Sequence, residues 1–383
     1  MSLGVYIQVP FCQTKCTYCN FHTGVVSRDR FQPYADAVCR EIAETAASDA
    51  PAVDTMYFGG GTPSLLEPAA LAKIIESVRG SYHFEPGEIT LEADPETITG
   101  EKASAWVGGG FNRVSLGAQS FNDVELQAAG RMHRRADIFR AAEILRSAGF
   151  DNVSMDLIAG LAYQTRESWE SSIAKLLTNR PEHISIYMLE IDEGSHLGKE
   201  CLAGGSRYSA GAVPADEAMA EFYESACAKL SAAGYEHYEI SNWALPGRRS
   251  RHNLKYWRRE PYIGFGAGAH SFDGITRWAN VHDSARYVAC IEQSISPREQ
   301  IERVTPEQAF EEEFFLGLRQ LDGIDLDKIE SAYAGTQHKR VVGLRNRIDG
   351  LRSQGFVEMD GARLRLAPDH LTISNDVFVE LLS

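Results

Sequence analysis

Cys12, Cys16 and Cys19 stand within eight residues, in Val9-Pro-Phe-Cys-Gln-Thr-Lys-Cys-Thr-Tyr-Cys-Asn20. A C-x3-C-x2-C run supplies three thiolates, one fewer than a closed tetrahedral site requires. Three protein ligands leave a metal centre one open position, where small-molecule chemistry can take place. The spacing suits an iron–sulfur cluster that lends its fourth iron to a ligand. A zinc finger would need a second close Cys or His pair. His22, three residues past Cys19, leaves a zinc knuckle of three cysteines and one histidine as the alternative. Disulfides fit poorly, because three is odd and Cys39, Cys201, Cys227 and Cys290 are scattered singly.

Positioning such a centre needs a scaffold, and the first two-thirds of the chain alternates strand-like with helix-like stretches. Short apolar, β-branched runs occur at Val5–Val9, Thr55–Phe58, Glu88–Leu91, Arg113–Leu116, Asn152–Leu157 and His183–Leu189. Amphipathic stretches fall between them at Phe31–Ala47, Pro68–Val78, Thr99–Val107, Ala136–Ala148 and Glu167–Leu177. This order predicts an α/β fold, a parallel sheet with helices outside, open or closing into a barrel. Each strand ends in residues unusual for a structural loop: the cysteines, Gly59-Gly-Gly-Thr-Pro63, Glu92 with Asp94, Gln119, Asp156 and Glu190. In a β/α barrel the carboxyl ends of the strands form the active rim. Taken singly, each of these residues could be a helix cap or turn. Together they predict a cup beneath the cysteines.

Glycines at 59–61 let backbone groups approach a ligand closely, and Thr62 adds a hydroxyl at the same edge. Backbone carbonyls there could hold an ammonium and Arg131 a carboxylate, the two charges of an amino-acid moiety. Glu92, Gln119 and Asp156 would then serve ribose hydroxyls and adenine edges. Tyr262-Ile-Gly-Phe-Gly-Ala-Gly-Ala-His-Ser271 lacks the spacing of a phosphate cradle and predicts close backbone packing near the mouth, with His270 a satisfied polar residue of that loop. His133, beside Arg131, Arg134 and Arg135, marks a basic patch or a solvated helix start.

With Tyr6-Ile-Gln-Val-Pro-Phe-Cys12 opening into Cys16 and Cys19, the chain resembles the radical S-adenosylmethionine (SAM) proteins over nearly its whole length. It is similar to the group of oxygen-independent coproporphyrinogen III oxidase and its HemW-type haem-chaperone relatives. The resemblance implies a partial (β/α)6 TIM-like radical SAM barrel with a small C-terminal winged-helix-like domain. It implies a 4Fe-4S cluster on Cys12, Cys16 and Cys19, its fourth iron chelated by SAM. It also implies SAM contacts from Tyr6, Tyr18, Gly60, Gly61, Thr62, Glu92, Gln119, Arg131, Asp156 and Glu190. In the oxidase the motif continues to a further cysteine two residues after the third, behind a sizeable N-terminal segment. Here Phe21 holds that position and eleven residues precede Cys12. Both departures favour a haem chaperone that delivers haem to apo-haemoproteins, with oxidative decarboxylation of coproporphyrinogen III, or radical chemistry on another tetrapyrrole, as the alternatives.

The stretch Arg251-His-Asn-Leu-Lys-Tyr-Trp257 follows the H-N-x-x-Y-W pattern of the same group. By that resemblance His252 is a candidate haem ligand, with Tyr256 and Trp257 offering flat apolar surface to a macrocycle. The competing reading is a histidine bonded to neighbouring backbone with two aromatics in a domain seam.

The predicted division is a barrel with its haem- or substrate-binding extension over 1–290 (barrel core about 1–195), a linker over 291–306, and a C-terminal domain over 307–383. The last reads as three helices, a hairpin turning at Asp360-Gly361, and a final helix. A net charge of −15 argues against nucleic acid and anionic membrane as general partners. No basic leader and no run of eighteen apolar residues is visible, so a cytoplasmic protein is expected. An electron donor is required if SAM is cleaved, and membrane contact is expected only through a recipient.

Overall fold

The structure is a computed structural model that describes residues 2–46 and 50–382. Six strands, β1 (Leu3–Val9), β2 (Val53–Gly60), β3 (Phe84–Ala93), β4 (Arg113–Gln119), β5 (Val153–Ala159) and β6 (His183–Met188), lie side by side in chain order and run parallel. The helices between them are α1 (Phe31–Thr45), α2 (Pro68–Ser81), α3 (Gly100–Gly108), α4 (Asp123–Ala128), α5 (Arg135–Ala148) and α6 (Arg166–Asn179). The predicted strands and helices all fall on these elements, and of the predicted first helix only Ala47 lies outside the described residues. Local chemistry sets the ends. Thr99 and Thr165 cap α3 and α6 by accepting from Lys102 N and Ser168 N, and Gly149 stops α5 in the left-handed conformation at φ 105°.

The strands alternate along most of their length. Val5, Ile7 and Val9, Met56 and Phe58, Ile89 and Leu91, Val114 and Leu116, Met155 and Leu157, Ile184 and Ile186 are buried in one core with the helices. The intervening residues point the other way and are polar: Tyr6, Thr55, Tyr57, Glu88, Thr90, Glu92, Arg113, Ser115, Ser154, Asp156, His183 and Ser185. Parallel strands buried on both faces ordinarily carry continuous apolar runs. A polar inner face therefore marks a lumen built for something other than packing.

The half-barrel stays open, and the chain extends the sheet at both edges. After α7 (His196–Leu202) and α8 (Asp216–Ala232), β8 (Asn242–Ala244) adds antiparallel to β6, and β7 (Glu236–Glu239) adds antiparallel to β8 at the edge. Helix α9 (Arg251–Trp257) follows. Then β9 (Tyr262–Phe265) pairs parallel to β1, and β10 (His270–Phe272), β11 (Thr276–Asn280) and β12 (Arg298–Arg303) continue antiparallel, with α10 (Ser284–Glu292) before β12. Within the described residues this makes one twelve-stranded sheet. The predicted close packing at 262–271 is real: a Cβ on Gly264 would meet the His270 carbonyl at 2.3 Å, and one on Gly266 the Tyr34 hydroxyl at 2.5 Å. The stretch 291–306, expected as a linker, instead holds β12. Its charged sequence Arg-Glu-Gln-Ile-Glu-Arg suits an exposed edge strand, a composition that also reads as loop.

Beyond it, α11 (Pro306–Phe315), α12 (Leu326–Tyr333) and α13 (His338–Ser353) precede the hairpin β14 (Val357–Asp360) and β15 (Arg363–Leu366), and α14 (Ser374–Leu382) follows. A two-residue strand, β13 (Ile324–Asp325), joins β15 and was not foreseen. The acidic run 311–313 is spent on packing. Glu312 pairs with Arg259 and Arg277, Glu313 with Arg259, and Glu311 with Arg340. No helix among the described residues is long and apolar enough to cross a membrane.

Candidate functional site

The cysteine loop leaves β1 at the carboxyl rim and is pinned from three sides. Cys12 N donates to the Gly24 carbonyl (3.1 Å), Thr17 N to that of Ala129 beyond α4 (3.1 Å), and Leu197 N of α7 to that of Thr17 (2.8 Å). All three thiols are half-buried and free. Burial pushes the Cys12 thiol up, opposed by the Thr23 and Thr62 hydroxyls, and also pushes up Cys16, opposed by Arg131. Arg131 Nη1 stands 3.5 Å from Cys16 Sγ, placed to balance thiolate charge. His22 does not complete this group. Its ring packs against His282 with centroids 4.2 Å apart. Among the described residues no group of three or more His, Cys, Asp or Glu is gathered for a single metal ion.

The glycine loop closes against this rim. Gly61 N donates to the Val9 carbonyl (2.8 Å) and Thr62 N to that of Phe11 (2.7 Å), so a Cβ on Gly61 would strike the Phe11 carbonyl at 2.6 Å. Gly60 adopts φ 107° and donates its N–H to Glu92 Oε2 (3.1 Å), whose other oxygen accepts from Tyr57 (2.8 Å). Thr62 donates to Asp94 (2.9 Å). Arg131 is not a free carboxylate receptor here: it is paired with Asp94 and donates to the Gly117 carbonyl (3.0 Å), leaving its buried Nε without a partner. Gln119 ends β4 at φ 61°, a conformation disfavoured for a side-chain-bearing residue, and folds back over Gly117.

Below the rim, Tyr6, Tyr57, Glu92 and Asp156 retain solvent access although protein surrounds them, the condition of a concave wall. Burial pushes the Glu92 carboxyl up to about 7, aided by Asp156 and Asp94 and opposed by Tyr57 and Gly60. Burial likewise raises Asp156, although the Ser185, Ser115 and Ser154 hydroxyls and Arg113 oppose it. Tyr18 is half-buried against the apolar group of Ala129, Leu161 and Leu189. The structure thus brings Cys12, Cys16, Cys19, Tyr6, Tyr18, Gly60, Gly61, Thr62, Glu92, Gln119, Arg131 and Asp156 to one mouth. Glu190 is exposed two residues past the carboxyl end of β6, and among the described residues no side-chain contact fixes its place at the mouth. Sequence reasoning missed Tyr57 and Tyr187, whose place on the inner face only the period-2 pattern could have shown.

The H-N-x-x-Y-W stretch is α9, which crosses the floor of the lumen. Glu88 receives its first backbone amides, Arg251 N and His252 N, each at 3.1 Å. His252 is 1% exposed, and both ring nitrogens are engaged, Nδ1 with Thr55 (2.9 Å) and Nε2 with Tyr256 (2.9 Å). Burial, then Lys255, drives its imidazole down to about 3, so it is neutral. Both ring nitrogens thus have protein partners in this structure. The two aromatics do not form one surface, because neighbouring helix residues diverge. Tyr256 packs edge-on against His252 and Tyr262, whereas Trp257 packs toward Tyr238 under the Arg319 guanidinium, 4.5 Å from its ring. His133 is fully buried, its Nε2 at the Ala118 carbonyl (3.1 Å), and belongs to no basic patch.

The donor set at the mouth fits the group the motif implies: three thiols on one loop with no fourth, a glycine cradle that a Cβ would fill, and a buried guanidinium with an orphan N–H. Comparison with known proteins agrees. Residues 6–176 match the Radical SAM superfamily and 304–369 the HemN C-terminal domain. The chain is 34% identical over 378 residues to heme chaperone HemW of Bacillus subtilis, covering 98% of each chain. It is 37% identical over 340 residues to heme chaperone HemW of Synechocystis, covering 86% of this chain and 81% of that one. The solved structure of coproporphyrinogen III oxidase (HemN) from Escherichia coli superposes with a TM-score of 0.84 at 21% identity, over 100% of this chain and 90% of that one, a likeness of fold.

Proposed function

Because this chain belongs to the radical SAM superfamily and, within it, to the haem chaperone HemW family, we propose that it binds haem and passes it to apo-haemoproteins. The family implies a 4Fe-4S cluster and SAM as its cofactors. In the proposed site Cys12, Cys16 and Cys19 hold the cluster, which supplies an open iron to the SAM amino and carboxylate groups. The carbonyls along Gly59–Thr62 face the ammonium. Glu92 and Asp156 take the ribose, with Tyr6 and Tyr57 closing the wall behind them, and Gln119 meets the adenine. Arg131 keeps Asp94 fixed and balances the charge at Cys16. We place the protein in the cytoplasm, where thiols stay reduced. An electron donor enters only if SAM is cleaved.

The observation that carries this reading is the open three-cysteine rim in a chain similar from end to end to HemW proteins. Phe21, 64% exposed, stands where the oxidase pattern has a further cysteine. The test offers the anaerobically reconstituted protein both haem and coproporphyrinogen III. Retained haem, with transfer to an apo-haemoprotein and no change in the porphyrinogen, supports the proposal. Decarboxylated product with no stable haem complex overturns it.

A further inference from the structure

The haem reading needs a side chain to meet the iron, and His252 presents no free nitrogen. Three other histidines, remote in sequence, lie near one another at the rim. His22 follows the cysteine loop, His270 begins β10, and His282 lies two residues after β11. The His22 and His282 rings are 4.2 Å apart at 36°. His270 lies within electrostatic range of both, and it and His22 are exposed. Partial burial, then the neighbouring histidines, hold the His22 and His270 imidazoles below their ordinary range, which keeps a lone pair available. His282 Nδ1 is buried without a hydrogen-bond partner, 3.0 Å from where a Cβ on Gly268 would lie. The Cys12 N–Gly24 O bond ties this corner to the cysteine loop.

The surroundings suit a porphyrin better than a bare ion. The histidines are not gathered as a ready cage for a single metal ion. A haem iron asks only for one axial nitrogen. Phe21 and Val25, 64% and 60% exposed, leave apolar surface uncovered on either side of His22 in the chain. Lys15 acts electrostatically on His22, and Arg277, shared with Glu312, acts on His270. The two cations can answer propionates. The His22 and His282 rings, 4.2 Å apart, cannot take opposite faces of one macrocycle, so these two do not ligate one iron together.

We propose that the His22–His270–His282 rim receives haem, with His22 as the axial ligand and Phe21 against the macrocycle. This rests on the haem-binding reading above. The experiment titrates the reconstituted full chain with ferric haem, following the Soret band and the dissociation constant. The variants are His22→Gln, His22→Gly, His22→Gln with His270→Gln, and His252→Ala, with the cluster absorption and circular dichroism checked in each. His22→Gln is expected to weaken binding about tenfold and move the Soret band, and the double variant to weaken it further. Free imidazole restores the band in His22→Gly, a rescue that a merely structural role would not give. Wild-type affinity and Soret position in the double variant overturn the rim assignment while leaving haem binding intact. So does loss of binding in a folded His252→Ala alone. A wild-type protein that binds no haem overturns the chaperone reading and this inference with it.

Discussion

Strand β3 sends Glu88 to the floor of the lumen and Glu92 to its mouth, and the two carboxylates live in opposite surroundings. Glu88 accepts from Ser250 Oγ and from the amides of Arg251 and His252, so it anchors the start of α9. Around it Lys255 answers Asp54 and Glu260, and His183 links Ser154 to Tyr238. Glu92 has Tyr57 and Gly60 but also two carboxylates nearby, and burial lifts its pKa to about 7. The floor is largely finished with protein partners, Arg113 Nε and Nη1 apart, whereas the mouth keeps carboxylates and a guanidinium whose partners are incomplete. Polar residues on a barrel's inner face therefore serve two ends, and what separates them is whether the protein itself satisfies them.

That contrast breaks most sharply at the cysteines. Any one of Cys12→Ala, Cys16→Ala or Cys19→Ala should abolish nearly all bound iron–sulfur cluster while the chain stays folded, because the thiols are half-buried in a loop pinned by backbone bonds. Iron and sulfide content with circular dichroism checks both halves of that expectation. At the floor the consequence reverses. Glu88→Ala strips α9 of three hydrogen bonds and leaves the buried Arg113 without its strongest opposite charge. It should cost about 3 kcal/mol in denaturant unfolding, yet leave cluster content per folded molecule unchanged. A stable Glu88→Ala protein that loses its cluster would erase the distinction between the two ends.

A smaller effect belongs to Gly60. Gly60→Ala puts a Cβ on a backbone at φ 107° and into the end of the Gln8 side chain, 2.3 Å away. A loss of about 1 kcal/mol in stability is expected, with a larger relative loss in SAM affinity measured by calorimetry on the reconstituted protein. Equal losses in both would place the glycine in the scaffold alone.

How much of this was legible follows the same line. The mouth announced itself because cysteines, a glycine triplet and carboxylates at strand ends are costly choices for a loop, and the fold puts those strand ends side by side. The floor did not. Thr55, Glu88, Arg113 and His252 are ordinary residues whose meaning comes from contacts across as many as 197 positions of sequence, such as Thr55 with His252. His252 illustrates this: a motif names residue types, not which partners their nitrogens take. Phe21 and His22, by contrast, are visible in sequence and gain weight once His270 and His282 are seen beside them. The edge strand β12 escaped because alternating charge without an apolar face has no periodic signal.

The finest test of the comparison lies in how the two ends respond to pH. A carboxyl ordinarily near 4.5 and held at about 7 in the folded protein binds its proton more tightly than the unfolded chain does. Its contribution to stability is fully present below about pH 4.5 and is lost as pH rises through 7. Glu92→Gln keeps a neutral amide in place of the protonated acid, so it should match the wild type near pH 4.5 and become relatively more stable up to pH 8. His252 acts in the opposite sense. Its imidazole, ordinarily near 6.5 and held at about 3, contributes stability above 6.5 that is lost as pH falls toward 3. Melting temperatures of wild type, Glu92→Gln and His252→Phe across pH 4.5 to 8 should therefore diverge with opposite signs toward the alkaline end, Glu92→Gln gaining on the wild type and His252→Phe losing to it. The Glu92 pair should separate on the alkaline side. The His252 pair should be furthest apart on that side too and converge as acid removes what the wild-type histidine supplied. Parallel curves for Glu92→Gln would mean that the mouth is solvated enough to leave its carboxyl unperturbed, and the contrast between the two ends would then rest on hydrogen bonding alone.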